Sequence, residues 1–320
     1  MGIGFVTSYV PAVHLRSAII ADMILVTGGT GFIGGRVVEK LLQSGEPVRL
    51  LVRPNRKTPR LPKNVPLNIA VSHLSDDRGM RTALREVDTV FHFATAEHQG
   101  PNADLETVDV EGTQCLLDAA RETGVKQILF LGRIGADKSS SYPVLKAKAL
   151  AEDSIRKQYI PYCILRLTDI FGGNDHFTRE IAAGLKRAPI IYPLPGEGNI
   201  LVQPLWVEDL ISIIMLIYEQ KRFKNEAIEV GGGEFFEFHQ VVRAVMREIG
   251  KRKVLFSMAP AYLRIINLWL RKPGAEFPIS TPWLDLLAID RTCPLDSMTR
   301  NFSILPARFS NHIGYLRNLT

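Results

Sequence analysis

Short apolar runs alternate with segments of helical periodicity along the first half of the chain. Residues 23–27 form a strand-like apolar run, and 36–44 carry apolar residues at helical spacing. The same pattern predicts strands at 47–52, 67–71, 88–94, 126–131 and 160–167, with helices at 104–123 and 142–158. Strands that alternate with helices indicate a doubly wound parallel sheet, so the expected fold class is α/β, a Rossmann sheet.

A glycine turn joins the first strand to the first helix. Its sequence runs from Gly28 through Gly31 to Gly34 and lies between an apolar strand and an amphipathic helix. A dinucleotide pyrophosphate needs backbone amides at a helix N-terminus with no side chains in the way, and glycines supply this. A glycine triplet alone is a weak signal, but one that lies between a strand and a helix indicates a dinucleotide-binding site.

The strand at 47–52 ends on a basic residue. NAD sites usually place an acidic side chain here for the adenosine ribose, whereas a phosphate on that ribose favours guanidinium. Arg53 holds the position, and Arg56 and Lys57 follow closely. NADP(H) is therefore favoured over NAD(H), although a solvated basic loop over 53–66 is the alternative interpretation.

The second half loses the strict alternation. Residues 192–199 are interpreted as a turn-rich loop, 205–218 as a helix and 227–230 as a short strand. The segment 258–274 is bulky, apolar and rimmed by basic residues, which leaves four alternatives: a lid over a pocket, a subunit contact, a peripheral contact with a membrane or membrane complex, or, together with 282–290, an apolar substrate cavity.

Composition narrows the function classes. The 320 residues are 46% hydrophobic and carry a formal net charge of +6, but the basic residues are scattered, so nucleic-acid binding is not favoured. The three cysteines are far apart, which indicates neither a disulfide framework nor a zinc site and favours a reducing, cytoplasmic compartment. Residues 1–22 do not have the pattern of a signal peptide, and no run is long enough to predict a membrane span.

These motifs together resemble the short-chain dehydrogenase/reductase superfamily in its extended or atypical form. The resemblance is carried by the Thr27–Gly34 turn and by the segments "VFHFATA" (90–96), "VDVEGTQCLLDAA" (108–120), "ILRLTDIFG" (164–172), "QPLWVEDL" (203–210), "AIEVGGGEFFEFHQVV" (227–242) and Tyr142-x-x-x-Lys146. Within the superfamily, the chain is most similar to the branch of the nucleotide-binding accessory subunit of respiratory complex I, which the tail at 294–309 also resembles.

The resemblance implies an organisation and a set of cofactor contacts. It implies a Rossmann domain at 23–171 completed by about 200–232 and a smaller α/β substrate-side region at 172–199 and 233–320, while residues 1–22 are interpreted as an extension because Met23 directly precedes the first strand. The expected cofactor-binding residues are Thr27, Gly28, Gly29, Thr30, Gly31, Phe32, Ile33, Gly34, Arg53, Arg56, His73, Leu74, Ala94, Thr95, Ala96, Lys146 and Leu167.

The resemblance also implies a catalytic pair, Tyr142 as acid/base and Lys146 as its partner. Residues four apart share a helix face, and a nearby cation stabilises a phenolate. The serine expected at the end of the fifth strand is replaced by Gly132 or Arg133, and Ser141 is interpreted as a helix cap. Two further departures are His73-Leu74, where Asp-Leu is usual, and Asp109, where asparagine is common.

Three functions remain open at this point. The first is an NADP(H)-dependent oxidoreductase or epimerase-like enzyme with an incomplete catalytic set, acting on a lipid-, quinone- or sugar-like substrate. The second is a non-catalytic NADPH-binding accessory or assembly subunit of a respiratory-type membrane complex. The third is a regulator that senses redox state through the nucleotide. The sequence fixes neither the small-molecule substrate nor the oligomeric state.

Overall fold

The structure is a computed structural model that describes residues 22–54, 67–99, 103–269, 287 and 289–319. Its largest element is a seven-stranded parallel sheet with the order β3-β2-β1-β4-β5-β6-β11. The strands are β1 Met23–Thr27, β2 Val48–Val52, β3 Asn68–Val71, β4 Val87–His92, β5 Gln127–Arg133, β6 Tyr162–Leu167 and β11 Glu226–Val230. The doubly wound sheet predicted from the apolar pattern is thereby confirmed.

Helices cover both faces of this sheet. They are α1 Phe32–Gln43, α2 Asp77–Ala83, α3 Gly112–Thr123, α4 Pro143–Arg156 and α6 Val207–Glu219, whereas α5 Phe177–Arg187 and α7 Phe238–Glu248 lie beyond the sheet. One π-helical segment, Glu106–Glu111, leads into α3. Apolar side chains of α1 and α6 form one core against the sheet, and those of α2, α3 and α4 form another on its opposite face.

A third core lies beyond the large sheet. It joins α5 and α7 to three short two-stranded sheets: β7 Ile170–Phe171 with β10 Leu205–Trp206, β9 Leu201–Val202 with β12 Phe236–Glu237, and β8 Ile191–Pro195 with β13 Val254–Met258. After β13, the described residues form α8 Pro260–Trp269, α9 Ser297–Phe302, α10 Phe309–His312 and a 3₁₀ turn at Gly314–Asn318.

The loop predicted at 192–199 is wrong for its first residues, which belong to β8. Two prolines in this stretch argue against a central strand, but a two-stranded sheet tolerates them at its edges. The partner strand β13 lies about sixty residues later in the chain, so the local sequence carries no sign of the pairing.

Candidate cofactor site

A cavity of about 390 Å³ opens at the carboxyl ends of the central strands. In open parallel sheets this edge is where ligands bind. Thirteen of the residues expected at a cofactor line it: Thr27, Gly28, Thr30, Gly31, Phe32, Ile33, Gly34, Arg53, His73, Leu74, Ala94, Thr95 and Leu167. Gly29 and Ala96 are packed just behind this wall, while Arg56 lies outside the described residues.

The turn between β1 and α1 is a backbone cradle that only glycine permits. Gly28 has φ +68°, and a Cβ there would lie 2.7 Å from the amide nitrogen of Ala94. At Gly34 a Cβ would lie 2.4 Å from the carbonyl oxygen of Gly28. The first turn of α1 holds no acidic residue, so its unpaired amides present a positive end to the cavity. This geometry fits a pyrophosphate.

A chain of hydrogen bonds connects Thr27, which precedes the glycine turn, to β4 and α3. The Thr113 hydroxyl donates to the Asp109 carbonyl at 2.6 Å, so its oxygen accepts from His92 Nε2 at 2.9 Å. Nδ1 of His92 then accepts from the Thr27 hydroxyl at 2.8 Å, and the Thr27 oxygen accepts from the Phe93 amide at 3.1 Å. Burial, and then Lys148, lower the pKa of His92 to about 4, which keeps the ring neutral.

A buried ion pair forms the next part of the wall. Lys148 on α4 lines the cavity, and its Nζ lies 3.0 Å from Oδ1 of Asp109. The other carboxylate oxygen of Asp109 accepts from the Ala96 amide at 2.9 Å. Lys148 and Asp109 are only 5% and 2% exposed, so each charge depends on the other for solvation. Asp109 therefore holds in place both the Lys148 ammonium and the segment that follows β4.

The predicted pair Tyr142 and Lys146 lies elsewhere. Lys146 is exposed, and neither residue lines the cavity. Tyr142 precedes α4 and packs at the edge of a small cluster with Val144 and Leu145. Residues two apart on a helix point in nearly opposite directions, so a helix that directs Lys148 inward directs Lys146 outward. One turn before Lys148 stands Val144, which is buried.

The helix start also differs from the sequence interpretation of Ser141. The capping position of α4 is Tyr142, whose amide donates to the Ser140 hydroxyl at 3.1 Å. Pro143 occupies the first helical position, which suits its missing amide hydrogen.

Arg133 fills the strand end where the related enzymes are expected to carry serine. Its Nη1 lies 2.9 Å from Oε1 of Glu97, and its Nη2 donates to Oδ1 of Asp169 at 2.7 Å. Arg291, from the C-terminal segment, donates to the other oxygen of Asp169 at 2.8 Å. Burial alone would raise the pKa of Glu97, but Arg133 and other cationic neighbours outweigh it and lower that pKa to about 2.

Gly132 has no room for the missing serine. A Cβ at this residue would lie 2.5 Å from Oε1 of Glu152, a carboxylate that accepts three hydrogen bonds from Arg166. Any side chain at 132 would have to displace this ion pair.

Two histidines stand at the mouth of the cavity beside Glu97. The rings of His98 and His176 are stacked, with centroids 4.2 Å apart and planes 5° from parallel. Desolvation by the surrounding protein lowers the pKa of His176, and the same cause lowers that of His98. Sequence reasoning missed this pair because its members lie on separate loops.

Comparison with known proteins agrees with this geometry. A family described as NAD(P)H-binding matches residues 28–184. The photosystem II assembly factor Ycf39 of Cyanophora paradoxa is 29% identical over 47% of this chain and 46% of its own length, so the chain spans about half of that relative. NADH dehydrogenase [ubiquinone] 1 alpha subcomplex subunit 9 of Arabidopsis thaliana is 24% identical over 83% of this chain and 68% of its own.

Another relative and a solved structure cover nearly the whole chain. A 3-beta-hydroxysteroid dehydrogenase of Mycolicibacterium neoaurum is 24% identical over 91% of this chain and 86% of its own. The UDP-glucose 4-epimerase of Thermus thermophilus, solved with NAD, superimposes with a TM-score of 0.67 at 22% identity over 93% of this chain and all of that one. At this identity the superposition shows the fold alone.

Proposed function

We infer that this chain, an atypical short-chain dehydrogenase/reductase with an NAD(P)H-binding domain, holds NADP(H) as a bound ligand rather than as a hydride donor. The observation that carries this inference is the composition of the cavity wall. Among the described residues the wall contains a lysine, Lys148, but no tyrosine, and Val144 stands one turn before that lysine.

Reduction of a carbonyl by this cofactor needs a group that gives a proton to the developing alkoxide. A valine side chain cannot do so. The strand end offers Arg133, whose guanidinium is ion-paired with Glu97 and Asp169 and does not release protons at neutral pH. The glycine turn, Lys148 and Arg133 therefore support binding of the dinucleotide. They do not support transfer of a proton to a substrate.

The preference for NADP(H) rests on Arg53. It follows β2 directly and lines the cavity beside His73 and Ser75, with no acidic residue from the end of that strand. A guanidinium matches a ribose phosphate in charge and in geometry. When bound, the cofactor would be held by the amides around Gly31 and by Arg53, and its nicotinamide would supply the redox chemistry if any occurs.

The names of two relatives support an accessory role for this chain. One is named as an assembly factor of a photosystem and another as a subunit of NADH dehydrogenase. We extend this to the present chain as a non-catalytic NADPH-binding subunit or assembly factor of a membrane complex, in which the nucleotide stabilises the fold.

Calorimetric titration of the purified protein tests the binding part. We expect NADPH to bind more tightly than NADH. Arg53→Asp should lower the affinity for NADPH by about 10- to 100-fold, since a charge-assisted hydrogen bond contributes about 1.5–3 kcal/mol. Arg243→Asp, at an exposed position of α7, is the matched control and should leave the affinity unchanged. Equal affinities for NADPH and NADH would refute the preference.

Turnover assays test the non-catalytic part. Wild-type protein that binds NADPH should oxidise none of it in the presence of aldehydes, ketones, quinones or sugar nucleotides. A substrate-dependent loss of NADPH absorbance that scales with protein concentration would overturn the inference.

The stacked histidines favour a second candidate, an enzyme whose proton acceptor lies at the cavity mouth, since lowered pKa values keep both rings neutral. His98 and His176 both border the cavity, and one relative is named as a dehydrogenase. This candidate predicts turnover that His176→Phe abolishes while NADPH binding persists. If turnover is lost in Tyr142→Phe instead, the acid/base role expected from the sequence is supported.

A further inference from the structure

The small β8/β13 sheet has an apolar face on the protein surface. Ile191 pairs with Val254, and Pro193 pairs with Phe256, so these side chains project from the same side. Their outward side chains are exposed, with 53% for Ile191, 60% for Val254 and 53% for Phe256. On the opposite side, Tyr192 is fully buried in the third core. A sheet face that meets water is normally polar, so this face differs from the expected pattern.

Basic residues gather at one end of the same sheet. Since β8 and β13 run parallel, the segments that precede them lie side by side. The amide of Val254 donates to the Ile190 carbonyl at 3.0 Å, and Lys253 Nζ donates to the Ala188 carbonyl at 2.5 Å. These contacts bring the end of α5, with Lys186 and Arg187, next to the residues that enter β13, Lys251, Arg252 and Lys253.

The two stretches of sequence that carry these basic residues are poor in acidic residues. The sequence contains no Asp or Glu in 181–196 or in 249–269. Past β13, the described side chains of Tyr262 and Ile265 on α8 are also exposed, whereas Leu263 between them is buried. Residues 270–274, the end of the apolar segment 258–274, lie outside the described residues. The apolar and basic surface is therefore defined by β8, β13 and the segments that precede them.

We propose that this surface binds an anionic lipid bilayer, with Ile191, Val254 and Phe256 at the acyl boundary and the basic end against the headgroups. Apolar side chains bordered by Lys and Arg are the pattern of interfacial membrane binding. Protein–protein interfaces are depleted of lysine, and three lysines belong to this basic end, so a bilayer fits better than a protein partner. The proposal goes beyond cofactor binding and does not depend on it.

The test is flotation with vesicles of phosphatidylcholine, alone or mixed with phosphatidylglycerol. Full-length protein should float with the anionic vesicles only, and added salt should release it. Lys251→Glu/Arg252→Glu should lower the partition coefficient by about thirty-fold or more, since each cation near such a surface contributes about 1 kcal/mol. Lys40→Glu/Lys224→Glu makes the same charge change at exposed positions elsewhere and should lower it much less.

The apolar half of the surface has its own matched pair of variants. Val254→Ser/Phe256→Ser should lower partitioning by about ten-fold or more, because buried methylene groups contribute about 0.8 kcal/mol each. Val71→Ser/Phe235→Ser changes the same residue types at similarly exposed positions and should have no effect. Thermal melts of all four variants check that each of them folds.

Three results would overturn the proposal. They are equal flotation with neutral vesicles, flotation with neither vesicle, and unchanged flotation of Val254→Ser/Phe256→Ser. Light scattering distinguishes a further outcome. If the wild type self-associates and that double variant is monomeric with no change in flotation, the face is an interface between two copies of this chain, and the lipid proposal fails.

Discussion

The two ends of the cavity are built differently. At the end that carries the glycine turn the wall is mainly backbone, because Gly28 lets the segment after β4 approach the turn, and Gly34 lets the turn approach α1, within a distance that no side chain permits. At the opposite end the wall consists of charged side chains, with Lys148 held by Asp109 and Arg133 held by Glu97. Backbone geometry can bind a phosphate in any member of the fold, whereas the chemistry depends on individual side chains. The first end can thus keep its ligand when the second end has changed.

The largest effect should come from the buried ion pair at the charged end. Lys148→Met leaves Asp109 buried without its cation, which costs about 3–5 kcal/mol of unfolding free energy. Lys146→Met removes an exposed charge two residues away and should change stability by about 0.5 kcal/mol or less. Chemical denaturation of both variants measures the difference.

A double variant keeps this comparison interpretable if Lys148→Met unfolds. Lys148→Met/Asp109→Asn removes the unpaired carboxylate and should recover part of the lost stability. Equal effects of Lys148→Met and Lys146→Met would show that Lys148 is not the lysine that supports the cavity wall.

The pH dependence of Arg133→Ser should be the next largest effect. The folded-state pKa of Glu97 is about 2, below its ordinary value of 4.5, so its stabilising contribution is present above about pH 4.5 and is lost as the pH falls toward 2. This shift corresponds to about 3 kcal/mol. Without Arg133, burial raises that pKa, and the variant should lose stability as the pH rises instead.

Thermal melts from pH 3 to pH 8 check the change of sign, with the wild type as reference. The same variant tests whether a hydroxyl at the strand end restores chemistry. We expect no NADPH oxidation, because no tyrosine among the described residues lines the cavity. Parallel pH profiles for the two proteins would contradict the assigned partner of Glu97.

Neighbouring glycines test the backbone end. A Cβ at Gly34 would lie 2.4 Å from the Gly28 carbonyl oxygen, whereas at Gly35 its nearest contact is an ordinary 3.6 Å. Gly34→Ala should distort the glycine turn, which costs about 1–3 kcal/mol of unfolding free energy, and should lower the affinity for NADPH by up to about 100-fold. Gly35→Ala should leave the affinity unchanged, as titration calorimetry would show. Similar affinities of both variants would mean that the cradle does not bind the pyrophosphate.

The same contrast explains what the sequence could predict. The glycine turn and Arg53 could be found because a strand, a turn and a helix follow each other locally, and the sheet could be predicted from apolar periodicity. The choice between Lys146 and Lys148 depends on the rotation of α4 against the sheet. A signal for it was present, since Lys148 lies in the buried stripe of α4 that includes Val144, Ala151 and Ile155.

The charged end could not be predicted in this way. Glu97, Arg133, Asp169 and Arg291 come from four separated segments, and only tertiary packing brings them together. The same reason applies to the apolar surface of β8 and β13, because the exposed face is defined only once the two distant strands pair.

The smallest effect should be that of Tyr142→Phe. Tyr142 is half-buried at the start of α4 and does not line the cavity, so removal of its hydroxyl should change stability by about 0.5 kcal/mol or less and leave NADPH affinity unaltered. In an active short-chain dehydrogenase/reductase, loss of the catalytic phenol removes turnover and spares binding. A null result in binding therefore agrees with both interpretations, and only the turnover assay separates them. If the wild type oxidises NADPH and Tyr142→Phe does not, the start of α4 must present Tyr142 to the substrate in a conformation that differs from the one described. The charged end of the cavity would then be catalytic, and the division between a binding end and an inert end would be wrong.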